Sequence, residues 1–266
     1  MSVATKSSGS YVTEKRIVNG FSSIHLRGFG RVRLQQTGTE SLEVRAPKRW
    51  MDRIETKVKN GALILGFKKR VFPFLLWPMR NPSDLEFLIT AETIDELRIS
   101  GAGSFETDEL KARDLRIGVS GAGRISSRGV DARDVRVSIS GSGKVSFDRL
   151  RADTIQINGS GVTKVALDDV AVETLATSLS GAGSVKAAGS ARDVEIRISG
   201  SGSLSLEELE AAHCKVRISG SGKIKVHATD SLETSISGSG TVLYKGTPQL
   251  SGRTSGSGRV RRIDED

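Results

Sequence analysis

The sequence predicts an all-β protein wound as a single-stranded parallel β-helix, a solenoid with about 20 residues per coil. Three observations predict it: a glycine step at near-constant spacing, apolar residues at every second position before the step, and another apolar column after it. The step is Gly-Ala/Ser-Gly, usually preceded by Ser, and its first glycines are Gly101, Gly121, Gly141, Gly159, Gly181, Gly200, Gly220, Gly238 and Gly256. Successive intervals are 20, 20, 18, 22, 19, 20, 18 and 18 residues, with an earlier instance at Gly28-Phe29-Gly30. Self-similarity at such a period marks a stack of repeats.

The residues before each step read as a strand buried on one face. One position before the Ser stand Ile99, Val119, Ile139, Ile157, Leu179, Ile198, Ile218, Ile236 and Thr254, and apolar residues recur two and four positions earlier. Between them lie Arg98, Arg116, Arg136, Gln156, Arg197, Lys215, Arg217 and Arg253, which gives an alternation of period two. After the glycines, Phe105, Ile125, Val145, Val185, Leu204, Ile224, Val242 and Val260 form a second column, so each repeat holds at least two strands joined at a glycine corner. Stacked at roughly 4.8 Å, the nine coils make a rod of roughly 40 Å. Glycine is expected at the corner because the chain turns sharply there and a Cβ would meet the adjacent coils. The preceding Ser is expected to bond backbone groups at the corner.

Composition removes several alternatives. Thirty glycines with only 5 prolines and no G-X-Y period exclude collagen, and 36% hydrophobic residues exclude a typical disordered chain. The longest apolar run, Val71 to Met79, is half a membrane span. A single cysteine, Cys214, excludes an intrachain disulfide framework. Residues 1–16 contain no apolar signal-peptide core.

The N-terminal third is less regular. The segment from Ile24 to Val32 fits the repeat as a first rung, and Leu42 to Arg45 reads as a strand. Lys48 to Arg53 reads as a short helical turn. Ile54 to Lys59 and Ala62 to Phe67, joined by Asn60-Gly61, read as a hairpin with a type I′ turn. Leu85 to Thr90 is expected to lead back into the coils. This region should cap the solenoid, whose bare end would otherwise recruit other chains. The expected organisation is therefore an N-terminal tail over 1–16, one β-helix domain over 17–260 and a charged tail over 261–266. Within the domain, 17–95 form irregular rungs and cap, and 96–260 form regular coils.

One segment stands apart. Lys68-Lys69-Arg70 precedes a proline-broken apolar stretch containing Phe72, Phe74, Leu75, Leu76, Trp77 and Met79, and Arg80 follows. Cations flanking an aromatic wedge suit contact with a membrane interface or a partner; folded over the solenoid end, the same residues would serve as a cap.

Several of these features together resemble the bacterial putative auto-transporter adhesin family, the head GIN domain. They are the Asn60-Gly61 hairpin within Ile54–Phe67, the strand Leu85–Thr90, the entry Leu97-Arg98-Ile99-Ser100-Gly101-Ala102-Gly103, and the recurring Ser-Gly-Ser/Ala-Gly. The resemblance runs from about Phe21 to Val260. It implies a right-handed β-helix, a cell-envelope or surface location and a role in adhesion, and it supplies no catalytic residues. The chain shows neither a signal peptide nor a lipobox cysteine. The implied location is then the envelope if a leader has been removed, and the cytoplasm otherwise.

Candidate chemical sites compete with architecture. Gly141-Ser142-Gly143-Lys144 and Gly220-Ser221-Gly222-Lys223 suggest a phosphate loop, but the Walker spacing, its Ser/Thr and its helix are missing. Asp114, Asp134, Asp153 and Asp193 precede the strands at nearly one rung position and could stack as a calcium or acid–base site. Arg113, Arg133 and Arg192 beside three of them favour a corner role. His213 and Cys214 are adjacent in a strand and should point opposite ways, which disfavours a dyad. A net charge of +9, broken by Glu96, Glu195 and Glu233, lacks the aromatic-lined basic stripe of a nucleic-acid binder.

The functional expectation is a non-enzymatic, adhesion-type solenoid that binds a surface, a glycan or a protein partner, or associates with itself, without a cofactor or metal. Phe72–Met79 or the polar faces of the rod would carry the contact. The rivals are a polysaccharide-active enzyme built on the Asp ladder, requiring a raised carboxylate pKa, and an anionic-surface or membrane module working through residues 68–80.

Overall fold

The computed structural model describes residues 11–68 and 84–263. The regular part consists of seven strands of nearly a full coil each: β9 (Ser104–Gly121), β10 (Arg124–Gly141), β11 (Lys144–Gly161), β12 (Lys164–Gly181), β13 (Ser184–Gly200), β14 (Ser203–Gly220) and β15 (Lys223–Gly238). Each lies parallel on the next, with like residues above one another, as in Leu115–Val135–Ile155–Leu175. A coil is thus one bent strand interrupted only at the glycine step.

The bends follow from where the inside–outside alternation slips. In β9, Phe105 and Thr107 point in, Asp108 and Glu109 both point out, and Leu110 returns to the core. A second slip at Arg113-Asp114 precedes the inward run Leu115, Ile117 and Val119. Two slips and one glycine corner divide the coil into three sides around an apolar core, and β15, two residues shorter, omits the first slip. That core runs without interruption from Phe21 to Val242. Across the second side, Arg149 reaches past Gly129 and donates to both carboxylate oxygens of Glu109 at 2.9 Å, a two-coil bridge that a side chain at 129 would obstruct.

The corners hold one correction. Gly101, Gly121, Gly141, Gly181, Gly200, Gly220, Gly238 and Gly256 all have positive φ at the corner, whereas Gly159 does not and the corner of its coil is Gly161. Gly159 pairs with Ile139 on one side and Leu179 on the other, so it occupies the inward aliphatic column. The corner spacing around it is then 20 and 20 residues, from Gly141 to Gly161 to Gly181.

The cap is built out of chain order. β1 (Tyr11–Arg16), β2 (Ser23–Gly28), β3 (Arg31–Gln36), β4 (Ser41–Pro47), α1 (Lys48–Met51), β5 (Ile54–Lys59), β6 (Ala62–Phe67), β7 (Glu86–Ala91) and β8 (Glu96–Gly101) precede the regular coils. β2 lies between β6 and β8, all parallel, and β3 lies between β7 and β9. The pair β2–β3 is therefore the second rung in space, and β6–β7 form the rung outside it. β7 packs on the outer side of β3, and β8 rather than β7 re-enters the regular stack. β5 covers β6 and β4 covers β7, both antiparallel, and β1 adds to β4. Tyr11–Arg16 is thus a cap strand instead of a tail, because its backbone pairs from Tyr11↔Pro47 to Arg16↔Leu42. Asn60 and Gly61 both take positive φ, as the hairpin turn requires. Gln36, at the end of β3, donates to the carbonyl of Lys111 at 2.9 Å and accepts from its N–H at 2.8 Å, filling a gap in the ladder.

The other end is plainer. β16 (Thr241–Lys245) and β17 (Gln249–Ser255) each lie parallel on part of β15, and β18 (Arg259–Arg262) lies on β16, so the ordered stack runs two residues past the expected domain end at 260.

Candidate functional site

The third side of the solenoid, Leu115 to Val119 in β9 and leading into the glycine corner, carries the most regular polar surface. Ser100, Ser120, Ser140, Ser160, Ser180, Ser199, Ser219, Ser237 and Ser255 are in register from coil to coil. Among the described residues none of these hydroxyls bonds a corner; all are exposed. The capping role expected of them is replaced by a row of free hydroxyls at the β-strand repeat of roughly 4.8 Å. Two positions earlier stand Gly118, Ser138, Asn158 and Ser178. Their small side chains leave a trough of about 450 Å³, closed by Arg98 at one end and lined by Gly118, Ser120, Ser138, Ser140 and Asn158. Arg116 and Arg136 flank it in the next outward column, exposed and with no ion pair among the described residues.

The Asp ladder is shorter than the sequence suggested. Asp114 and Asp134 stack, but Thr154 and Thr174 follow in their column before Asp193, and Asp153 belongs to the neighbouring column. Arg133 donates to Asp134 at 2.8 Å and to Asp114 at 3.3 Å, and Arg192 donates to Asp193 at 2.8 Å. The hydrogen bond from Arg133 holds the Asp134 carboxyl below the usual carboxylate range, with the charge of the guanidinium adding to it. A general acid needs the opposite shift. Among the described residues no group of three or more His, Cys, Asp or Glu side chains converges as a metal site.

Register also creates a contact that the sequence did not reveal. Asp193, His213 and Ser231 stand in one column, and His213 Nδ1 lies 3.0 Å from Ser231 Oγ. The residues are 20 and 18 positions apart, so only the coil length brings them together. Asp193 bonds Arg192 and, among the described residues, does not bond His213, so the imidazole lacks the carboxylate that orients the base of an activated serine. Cys214, next to His213, faces the core, and burial pushes its thiol pKa up to about 12. It is a neutral core residue at physiological pH.

The candidate contact residues Phe72, Phe74, Leu75, Leu76, Trp77 and Met79 lie outside the described residues. What is described is their attachment: β6 ends at Phe67 and β7 begins at Glu86, in the outermost rung, where the regular coils use a short glycine step.

The sequence profile of the family described as "Putative auto-transporter adhesin, head GIN domain" matches residues 20–148 and 138–248. The chain belongs to this family. Among curated proteins, none matches it. Solved structures with the same fold include a putative adhesin from Parabacteroides distasonis, at TM-score 0.73 and 21% identity over 96% of this chain and 98% of that one. A putative adhesin from Parabacteroides merdae aligns at TM-score 0.72 and 20% identity, covering 97% and 98% of the two chains. A protein from P. distasonis named as a putative lipid binding protein aligns at TM-score 0.72 and 21% identity, covering 97% and 98%. At these identities the head GIN likeness is one of architecture, and it extends along nearly the whole chain.

Proposed function

We propose that this head GIN protein is a non-enzymatic adhesion module of the cell envelope that binds a surface glycan or protein through the third side of its solenoid. The trough beside the serine row carries this reading. A rigid sheet presents hydroxyl and amide groups at fixed spacing, a recess admits part of a ligand, and Arg116 and Arg136 add positive charge at its margin, while Arg98 at its end is paired with Glu96. Polar groups held on strands need no ordering when a ligand arrives, which lowers the entropic cost of binding. The lowered pKa of Asp134 argues against that residue as the acid of the rival hydrolase.

Filling the recess tests the proposal. Gly118→Trp and Ser138→Trp should abolish retention of the purified protein on immobilised envelope glycans and envelope proteins, while Lys164→Glu on the neighbouring side should leave it intact. Binding that survives both tryptophans would refute the reading, as would an absence of binding by the wild type across the panel.

A second reading rests on residues 68–80, whose cations and aromatics stand in the sequence between β6 and β7. We propose a peripheral contact with anionic lipid through this segment. The expected result is binding to vesicles containing phosphatidylglycerol that falls as salt is raised and falls again on Trp77→Ala. Equal sedimentation with neutral and anionic vesicles would contradict it.

A further inference from the structure

The two ends of the solenoid are finished differently. At the N-terminal end Phe21 is buried, and the covering elements β4, α1 and β5 bury Leu42, Met51 and Ile54 against the core. At the C-terminal end every residue of β17 is exposed, and Leu250, which continues the buried column of Leu232, is 49% exposed. Val260, above Val242, is only partly covered. β17 pairs with β15 and β18 with β16, so among the described residues the outer backbone groups of both strands have no partner. An open strand edge over an unfinished core is a template for another strand.

We propose that this end receives an acidic, extended segment of a partner protein, which adds to β17 and β18 as a further strand. Charge selects the occupant. Arg253, Arg259, Arg261 and Arg262 surround the edge, and among the described residues none forms an ion pair. A second copy meeting tail to tail would set arginines against arginines. Meeting head to tail, it would set them against a cap that, beside the Lys57–Glu55 pair, exposes Lys48, Arg49, Arg53 and Lys59 against Asp52. Like charges placed opposite across strands are destabilising. The alternation specifies the incoming strand: apolar side chains over Leu250 and Val260, carboxylates beside Arg253, Arg259 and Arg261.

Two fluorescent peptides matched to the length of β17 test this, one alternating Val with Glu and one alternating Val with Lys. The intact protein should bind the Glu peptide roughly tenfold or more tightly than the Lys peptide at low salt, with the difference shrinking as salt rises. The variant Arg259→Glu/Arg261→Glu should reverse the preference, and the β17 amides should exchange more slowly with the Glu peptide bound. Equal binding of the two peptides, no binding of either, an unchanged preference after charge reversal, or a dimer joined through this end would overturn the proposal. Gly118→Trp should leave peptide binding unchanged, so failure here and failure of the trough reading can be told apart.

Discussion

Gly141→Ala is expected to lower the stability of the solenoid by about 2–4 kcal/mol, read as a shift of the denaturation midpoint. Two separate effects add at this position. Gly141 has φ +107°, a conformation that an L side chain rarely adopts. Its Cβ would also stand 2.7 Å from the carbonyl oxygen of Gly121 in the coil below, a backbone atom that cannot rotate away. That carbonyl accepts a hydrogen bond from Ser142 N–H at 2.7 Å, which links the two corners, so relief by backbone movement would weaken the ladder. Gly118→Ala is the informative control. Its φ is not positive, its nearest neighbours are Arg98 side-chain atoms at 3.5 Å, and alanine has less conformational freedom to lose on folding. This variant should be neutral or slightly stabilising. Equal losses at 118 and 141 would show that glycine content rather than corner geometry sets the stability.

How far the fold could be read from the sequence depended on whether the spacing remained regular. Parallel stacking followed from the corner interval and the alternation, because a regular coil length brings like residues into register. At residues 158–163 the same signals were ambiguous. Shifting the corner from Gly159 to Gly161 moves the pattern by two residues, and an alternation of period two is unchanged by that shift. Only the demand for even spacing distinguishes the two glycines. The elements of the cap were legible, but their pairing was not, for another reason. Its strands pair out of chain order, β6 outside β2 and β7 outside β3, and no local signal records such a pairing. Tyr11–Arg16 resembled a tail because five of its six residues are polar or exposed, though its backbone is fully paired with β4. The trough also needed the register: Gly118, Ser138 and Asn158 are ordinary outward residues until they are stacked.

The exchange at Gly159 and Thr163 leads to the second large effect. In the preceding coil the inward position is Ile139 and the third corner position is Gly143, where a Cβ would meet Val119 at 2.7 Å and Ile139 at 2.8 Å. One coil later the inward position is Gly159, and Thr163, 1% exposed, occupies the space that its missing side chain leaves. A Cβ on Gly159 would lie 2.5 Å from Thr163 Oγ1 and 2.8 Å from Leu179. Gly159→Val alone should therefore cost about 2–3 kcal/mol by overpacking. Thr163→Gly alone should cost about 1–3 kcal/mol through the cavity and the added chain freedom. The double variant restores the pattern of the coil below and also removes the Thr163 hydroxyl, which is buried without a hydrogen-bond partner. It should match or exceed the wild type, giving a favourable coupling of at least about 3 kcal/mol in a double-mutant cycle. Additive losses would mean that the two residues do not share one volume, and that Thr163 is held in the core for some other reason.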